Sequence, residues 1–130
     1  MRILLDTHVF LWLVSGDTRL PSAVLDALTD PGNQTFLSAV SLWEATVKHQ
    51  LGKLTLPAAP EAYLPASRLA HGIASLPLTE TAVTRLPALP RLHRDPFDRM
   101  LICQALDESM TLATVDSAIK AYPVTTLAGL

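Results

Sequence analysis

The chain has a single cysteine, Cys103, so no disulfide can form within it. Set in Leu101-Ile102-Cys103, that thiol reads as ordinary core packing. Charge is scarce: 17% of residues, with 12 acids against 10 lysines and arginines, a net −2. A broad basic face of the kind that coats nucleic acid is therefore excluded, although a few local cations can still hold a phosphate. No two histidines stand at metal-ligand spacing, which argues against zinc. The Gly-rich phosphate loop, the dinucleotide fingerprint and the G-x-S-x-G elbow are all missing. So are internal repeats, low-complexity tracts and a long uncharged apolar run; Asp6 and His8 interrupt the N-terminal one. No basic segment followed by an A-x-A site opens the chain, so a cytoplasmic protein without a signal peptide is expected.

What is present is apolar side chain: 49% of residues, at a mean hydropathy of +0.31. The 130 residues suit one domain, 1–130, with a full core. So much apolar content in a small protein leaves some for a partner or a second copy. Short apolar runs at Arg2–Leu5, Gln34–Leu37, Ile73–Leu76 and Thr111–Val115 read as buried strands, with a terminal short strand at Val124–Thr126. Between them helices are expected over Val9–Val14, Ala23–Thr29, Ser38–Leu51, Thr79–Leu86 and Pro96–Ser109. One or two short helices fall in the proline-rich stretch of Pro57, Pro60 and Pro65, and a loop covers Pro87–Arg91. Strand-helix alternation predicts an α/β fold, a three-layer α/β/α arrangement around a mostly parallel sheet. Ligands bind such sheets beyond the carboxyl ends of the strands.

Four acids stand in core-forming sequence. Asp6 ends Ile3-Leu4-Leu5, Glu44 interrupts an apolar helix, Asp98 opens Met100-Leu101-Ile102-Cys103 and Asp116 follows Leu112-Ala113-Thr114-Val115. At about 4 Å and an effective dielectric near 20, each close pair of carboxylates costs roughly 4 kcal/mol. Protonation, a basic partner or a hard divalent cation relieves that repulsion. Each acid also has a plainer use. Asp6 and Asp116 suit helix N-caps, Asp116 for a short helix. Ser41-Leu42-Trp43-Glu44 fits a capping box, unless Ser38 is the cap. In that second case Val40, Trp43, Val47 and Leu51 form an apolar stripe that contains Glu44. Asp95 before Pro96 reads as a cap or as support for a neighbouring ligand, and Asp98 falls in the first helical turn, facing the sheet. Thr114 is either a strand threonine or a hydroxyl that holds water near the site. Trp43, Phe10 and Trp12 are expected in the core, and His8, His49, His71 and His93 as ordinary loop or helix residues.

These segments together resemble the PIN-domain family, in particular its VapC-type toxins. The resemblance spans the chain and rests on Leu5-Asp6-Thr7-His8, on Ser41-Leu42-Trp43-Glu44 with Lys48 and Gly52-Lys53-Leu54, on His93-Arg94-Asp95-Pro96-Phe97-Asp98-Arg99-Met100-Leu101, and on Thr114-Val115-Asp116. The His93–Leu101 run is the most specific of them, and the order and spacing of all four are more specific still. The family's acid quartet falls on Asp6, Glu44, Asp98 and Asp116. The resemblance implies an Mg2+- or Mn2+-dependent endoribonuclease, a cognate antitoxin and a homodimer. On this reading Asp6, Asp98 and Asp116 hold the metal, with Glu44 bound directly or through water, and Glu44 or Asp116 orients the attacking water. Lys48, Lys53, Arg94 and Arg99 are candidates for the RNA backbone, or else part of a solvated charged face. Two rival readings remain: another metal-dependent nuclease or phosphatase, and an inactive module whose acids bind a basic partner segment. A receiver domain would need paired acids after the first strand and an Asp after the third, and neither is present.

Overall fold

The computed structural model describes residues 1–130. Four parallel strands form one sheet in the order β3-β2-β1-β4: β1 Arg2–Leu5, β2 Gln34–Ser38, β3 Ala74–Leu76 and β4 Thr111–Ala113. The helices are α1 Thr7–Ser15, α2 Ser22–Thr29, α3 Ala39–Gln50, α4 Pro60–Ala70, α5 Glu80–Val83, α6 Pro96–Glu108 and α7 Ser117–Lys120, with a 3-10 turn at Leu86–Ala88. The α/β expectation holds.

Strand geometry divides the core in two. Successive side chains of a strand point to opposite faces, so Ile3 and Leu5 enter one apolar cluster and Leu4 the other. The first layer carries Val9, Phe10 and Leu13 of α1, Val24 and Leu28 of α2, and Leu64 of α4. The second carries Leu101, Ile102, Cys103 and Ala105 of α6 and Ile119 of α7. As a parallel strand covered on both faces must be, β1 is apolar throughout its buried length. Cys103 is fully buried, and that burial pushes its thiol pKa up, so it packs and does not react.

Several boundaries differ from expectation. The final sheet strand stops at Ala113 and not Val115. Its ladder with β1 ends where β1 ends, at Leu5↔Ala113, and the Thr114 hydroxyl is drawn into side-chain bonds instead. Asp116 therefore lies three residues past the strand. Val124–Thr126 is no strand; a single bridge joins Thr126 to Leu112. The segment expected as one helix over Thr79–Leu86 breaks after Val83 into the 3-10 turn, where Pro87 supplies no amide hydrogen. The proline-rich stretch makes one helix, α4, with Pro60 in its first turn.

The expected α3 stripe holds at Val40 and Glu44 but not at Trp43 and Leu51. Val40, Ser41, Glu44 and Ala45 point inward, whereas Trp43 is 60% and Leu51 63% exposed. Trp43 is thus not a core residue. Ser38, at the end of β2, caps the helix by accepting from the Val40 amide, so Ser41 and Glu44 form no capping box. Phe10 is buried as expected, and Trp12 packs partly covered against the first layer.

Candidate active site

The carboxylates collect at the C-terminal edge of the sheet. Asp6 follows β1 directly and caps α1, its Oδ1 accepting from the Val9 amide at 2.8 Å. Its Oδ2 accepts from the Thr114 hydroxyl, just past β4, at 2.5 Å. That hydroxyl in turn accepts from the Asp116 amide at 3.1 Å. One buried threonine thus ties the ends of β1 and β4 to the start of α7, where Asp116 Oδ1 caps the Ala118 amide. Burial pushes the Asp6 pKa above the usual carboxylate range, against the lowering effect of its bonds from Thr114 and Val9.

Glu44, 2% exposed on α3, accepts from the Thr7 hydroxyl through Oε1 at 2.6 Å and from the Lys48 ammonium through Oε2. Burial works against the Lys48 charge. The bond and charge of Glu44, with the nearby charges of Asp95 and Asp98, outweigh it and raise the pKa. Lys48 is therefore the counter-ion of the cluster and not a free surface cation.

The third wall is the N-terminus of α6. Asp95 Oδ1 caps the helix by accepting from the Phe97 and Asp98 amides at 2.8 and 3.2 Å. Deeper in α6, the buried Gln104 fixes the helix against the sheet: its Oε1 accepts from the Ser38 hydroxyl at 2.5 Å and its Nε2 donates to the Pro77 carbonyl. Asp98 lies at the centre. Its ligand atoms fall within 4.8 Å of two partial sets, Glu44 with Asp95 and His93 with Asp116. Asp6 joins neither at that range; it meets the cluster through Thr7, Thr114 and the charge of Glu44.

His93 is the residue that the sequence reading missed. Its Nε2 stands 2.9 Å from Asp98 Oδ2 and 3.3 Å from Asp116 Oδ2. The Arg94 amide donates to its Nδ1 at 3.1 Å, which places the imidazole hydrogen on Nε2, facing the carboxylates. The loop that carries it is anchored by buried Tyr122, whose hydroxyl accepts from the amides of Leu92 and His93 at 3.0 and 2.9 Å and from Arg99 at 3.2 Å. Thr7 and Tyr122 went unnoticed as well. Their only signal was a hydroxyl inside otherwise apolar or turn-forming sequence. Removing the Tyr122 hydroxyl leaves two amides without their acceptor. We expect Tyr122→Phe to cost about 1–3 kcal/mol in urea unfolding and to lower turnover about tenfold by loosening His93. Unchanged activity would show that the loop does not depend on this anchor.

Beside His93 opens a cavity of about 680 Å3, lined by Arg91, Arg94 and Arg99 together with His93, Leu86, Pro87 and Leu89, and by no acid. Arg99 also donates to the Pro90 carbonyl at 2.9 Å, so it shapes the loop as well as charging it. Lys53 lies apart, exposed in the turn after α3. In a chain of net charge −2, three guanidiniums at the border of a carboxylate cluster make a local positive field.

Burial raises the Asp98 pKa to about 6, helped by the charges of Asp95 and Glu44 and opposed by the His93 bond. The folded state therefore holds that proton more tightly than the unfolded chain does. With no cation bound, this group's contribution favours folding at low pH, and it is lost as pH rises from about 4 to about 6. Full ionisation costs on the order of 3 kcal/mol. A divalent cation on the ionised carboxylates reverses the penalty. At pH 7 and about a hundred times its Kd, magnesium is expected to add roughly 2.7 kcal/mol, or about 10 °C in melting temperature. At pH 4.5 the gain should largely vanish. Equal melting curves with magnesium and with EDTA at pH 7 would rule out a cation site here.

Fold and site together define an α/β domain with a carboxylate cluster at the carboxyl edge of a parallel sheet. The chain belongs to the PIN-domain family, whose family model, described as PIN domain, matches residues 3–124. No curated protein sequence matches it. Among solved structures, VapBC2 from Rickettsia felis, bound to a DNA fragment from its promoter, contains a similar chain at TM-score 0.71 and 16% identity, over 98% of this chain and 97% of that one. VapBC-1 from nontypeable Haemophilus influenzae gives 0.65 and 17%, over 98% and 97%. A toxin-antitoxin complex from Klebsiella pneumoniae gives 0.58 and 19%, over 88% and 87%. At these identities the likeness establishes the fold.

Proposed function

We propose that the protein is a divalent-metal-dependent endoribonuclease, the toxin of a toxin–antitoxin pair, acting in the cytoplasm as a homodimer and held in check by a cognate antitoxin. The observation that carries the activity is Asp98, a half-buried acid shared by two groups of potential ligands at the open edge of a parallel sheet. The toxin role is supported by family membership together with structural neighbours that were solved as VapBC and toxin-antitoxin complexes. No helix is long and apolar enough to cross a membrane.

The donor set fits a hard cation. It is dominated by carboxylate oxygens, met by the Lys48 ammonium and the Nε2–H of His93 and otherwise by neutral hydroxyls and amides. Asp98 and Asp116 would hold Mg2+ or Mn2+, with Asp6, Glu44 and Asp95 nearby, and the ion would supply positive charge where the phosphoryl oxygens gain negative charge. The chain's own groups do the rest. Asp116 spends Oδ1 on its cap and turns Oδ2 toward His93 Nε2 at 3.3 Å, so Oδ2 is the oxygen that would take a proton from an attacking water. Glu44, fixed by Thr7 and Lys48, orients water from the α3 side. His93 holds Asp98 in one rotamer through Nε2. Lys48, bonded to Glu44 and half-exposed, would turn to a phosphate oxygen when RNA binds, and Arg91, Arg94 and Arg99 would hold the backbone beyond His93.

The test is incubation of purified protein with a mixed cellular RNA pool in magnesium, in manganese and in EDTA, beside DNA and a phosphomonoester. Discrete metal-dependent cuts in RNA alone are expected. Hydrolysis of DNA or of the monoester would reassign the substrate, and no hydrolysis by a folded, partner-free protein would support a binding module.

A further inference from the structure

Trp43 is the one aromatic side chain that the protein leaves mostly in water: it is 60% exposed, while every other Trp, Phe and Tyr is buried or partly covered. Its place is not arbitrary. On α3 it immediately precedes Glu44, and on α6 Phe97 immediately precedes Asp98. The two rings meet edge to face, with centroids 4.8 Å apart and planes at 83°. This is a preferred aromatic geometry that fixes the angle of the indole. An indole so held, at the rim of a carboxylate cluster, contributes little to either apolar layer. At His93 lies the arginine-lined cavity. The protein thus carries a cluster of positive charge beside His93 and a held π surface next to Glu44, the two features that proteins use on single-stranded nucleic acid.

We propose that Trp43 stacks on the base of a nucleotide flanking the scissile phosphate. The inference deepens the nuclease reading and rests on it. A base inside a duplex has both faces covered by its neighbours and offers none to an indole, whereas loops and single strands can splay a base outward.

Fluorescence tests this without cleavage. The chain has two tryptophans, Trp12 and Trp43, so Trp12→Phe leaves Trp43 as the sole reporter. In that background, with Asp6→Asn to stop hydrolysis and magnesium present, an unstructured RNA 12-mer is expected to quench Trp43, and the same strand in a duplex far less. In the otherwise wild-type protein, Trp43→Ala should raise KM for the 12-mer about tenfold or more, with a smaller change in kcat. Trp43→Phe, which keeps a ring, should recover most of the loss. Binding of the 12-mer without quenching would overturn the proposal, as would an unchanged KM in Trp43→Ala. So would a dimer that Trp43→Ala converts to monomer in sedimentation, since a second copy would then be what covers the indole. Quenching without any cleavage by the unmutated protein would leave the stacking intact and sink the nuclease reading instead.

Discussion

Asp98→Asn should abolish cleavage while making the cation-free protein more stable. Asparagine matches the shape of the carboxylate and still accepts from His93 Nε2, so the fold has no reason to change. The charge is lost from the one acid common to both ligand groups. If that charge accounts for several kcal/mol of transition-state stabilisation, turnover falls by a factor of about 10^3 or more, at 1.36 kcal/mol per tenfold. At pH 7 in EDTA the same substitution removes the cost of ionising a carboxyl whose pKa is raised to about 6. Unfolding free energy should rise by about 1–3 kcal/mol. Opposite signs in the two measurements identify a residue retained for chemistry at the expense of stability. A variant that is both inactive and destabilised would mean that Asp98 is structural.

Asp6→Asn is the second large effect, with a different signature. Asn is as good an N-cap as Asp, so the bond from Val9 survives. The amide nitrogen, however, then faces the Thr114 hydroxyl, which at present donates to Asp6 Oδ2 and accepts from the Asp116 amide. The hydroxyl oxygen can accept from that amide, but its own hydrogen then loses the carboxylate it meets now, and the link from β1 to Asp116 is weakened. Activity should drop about 10^3-fold, for loss of both the charge and the placement of Asp116, at about 1 kcal/mol in stability. Cleavage assays paired with urea unfolding measure both. Full activity in folded Asp6→Asn protein would remove Asp6 from the site.

The acids were legible in the sequence because a carboxylate in an apolar run is conspicuous whatever surrounds it. Asp6, Glu44, Asp98 and Asp116 do reach the same sheet edge, and the parallel sheet with its helical layers follows from strand-helix alternation. Trp43 was misread for a physical reason. Hydrophobic periodicity assumes that the inward face of a helix is its apolar face, but over the site the inward face of α3 is polar and small, with Ser41, Glu44 and Ala45. The exposed indole then completed the wrong stripe. His93 was illegible because its partnership with Asp98 and Asp116 depends on the path of the 90–94 loop, fixed by the hydroxyl of Tyr122 almost 30 residues away. The length of β4 was overestimated because Thr114 and Val115 have β-forming side chains, whereas the Thr114 hydroxyl had a better use.

The strand order carries a consequence in time. Asp6 and Glu44 leave the ribosome early, but Asp98 lies on α6 and Asp116 follows β4, which pairs with β1 across the longest sequence separation in the sheet. A nascent chain can lay β1, β2 and β3 side by side and still have no centre at which the acids converge. Only after residue 116 has emerged, and β4 has closed against β1, do Asp116 and the Asp6–Thr114 bond join Glu44, Asp95 and Asp98. A chain cut short before residue 116 therefore lacks the full set of acids, however well its first three strands have paired.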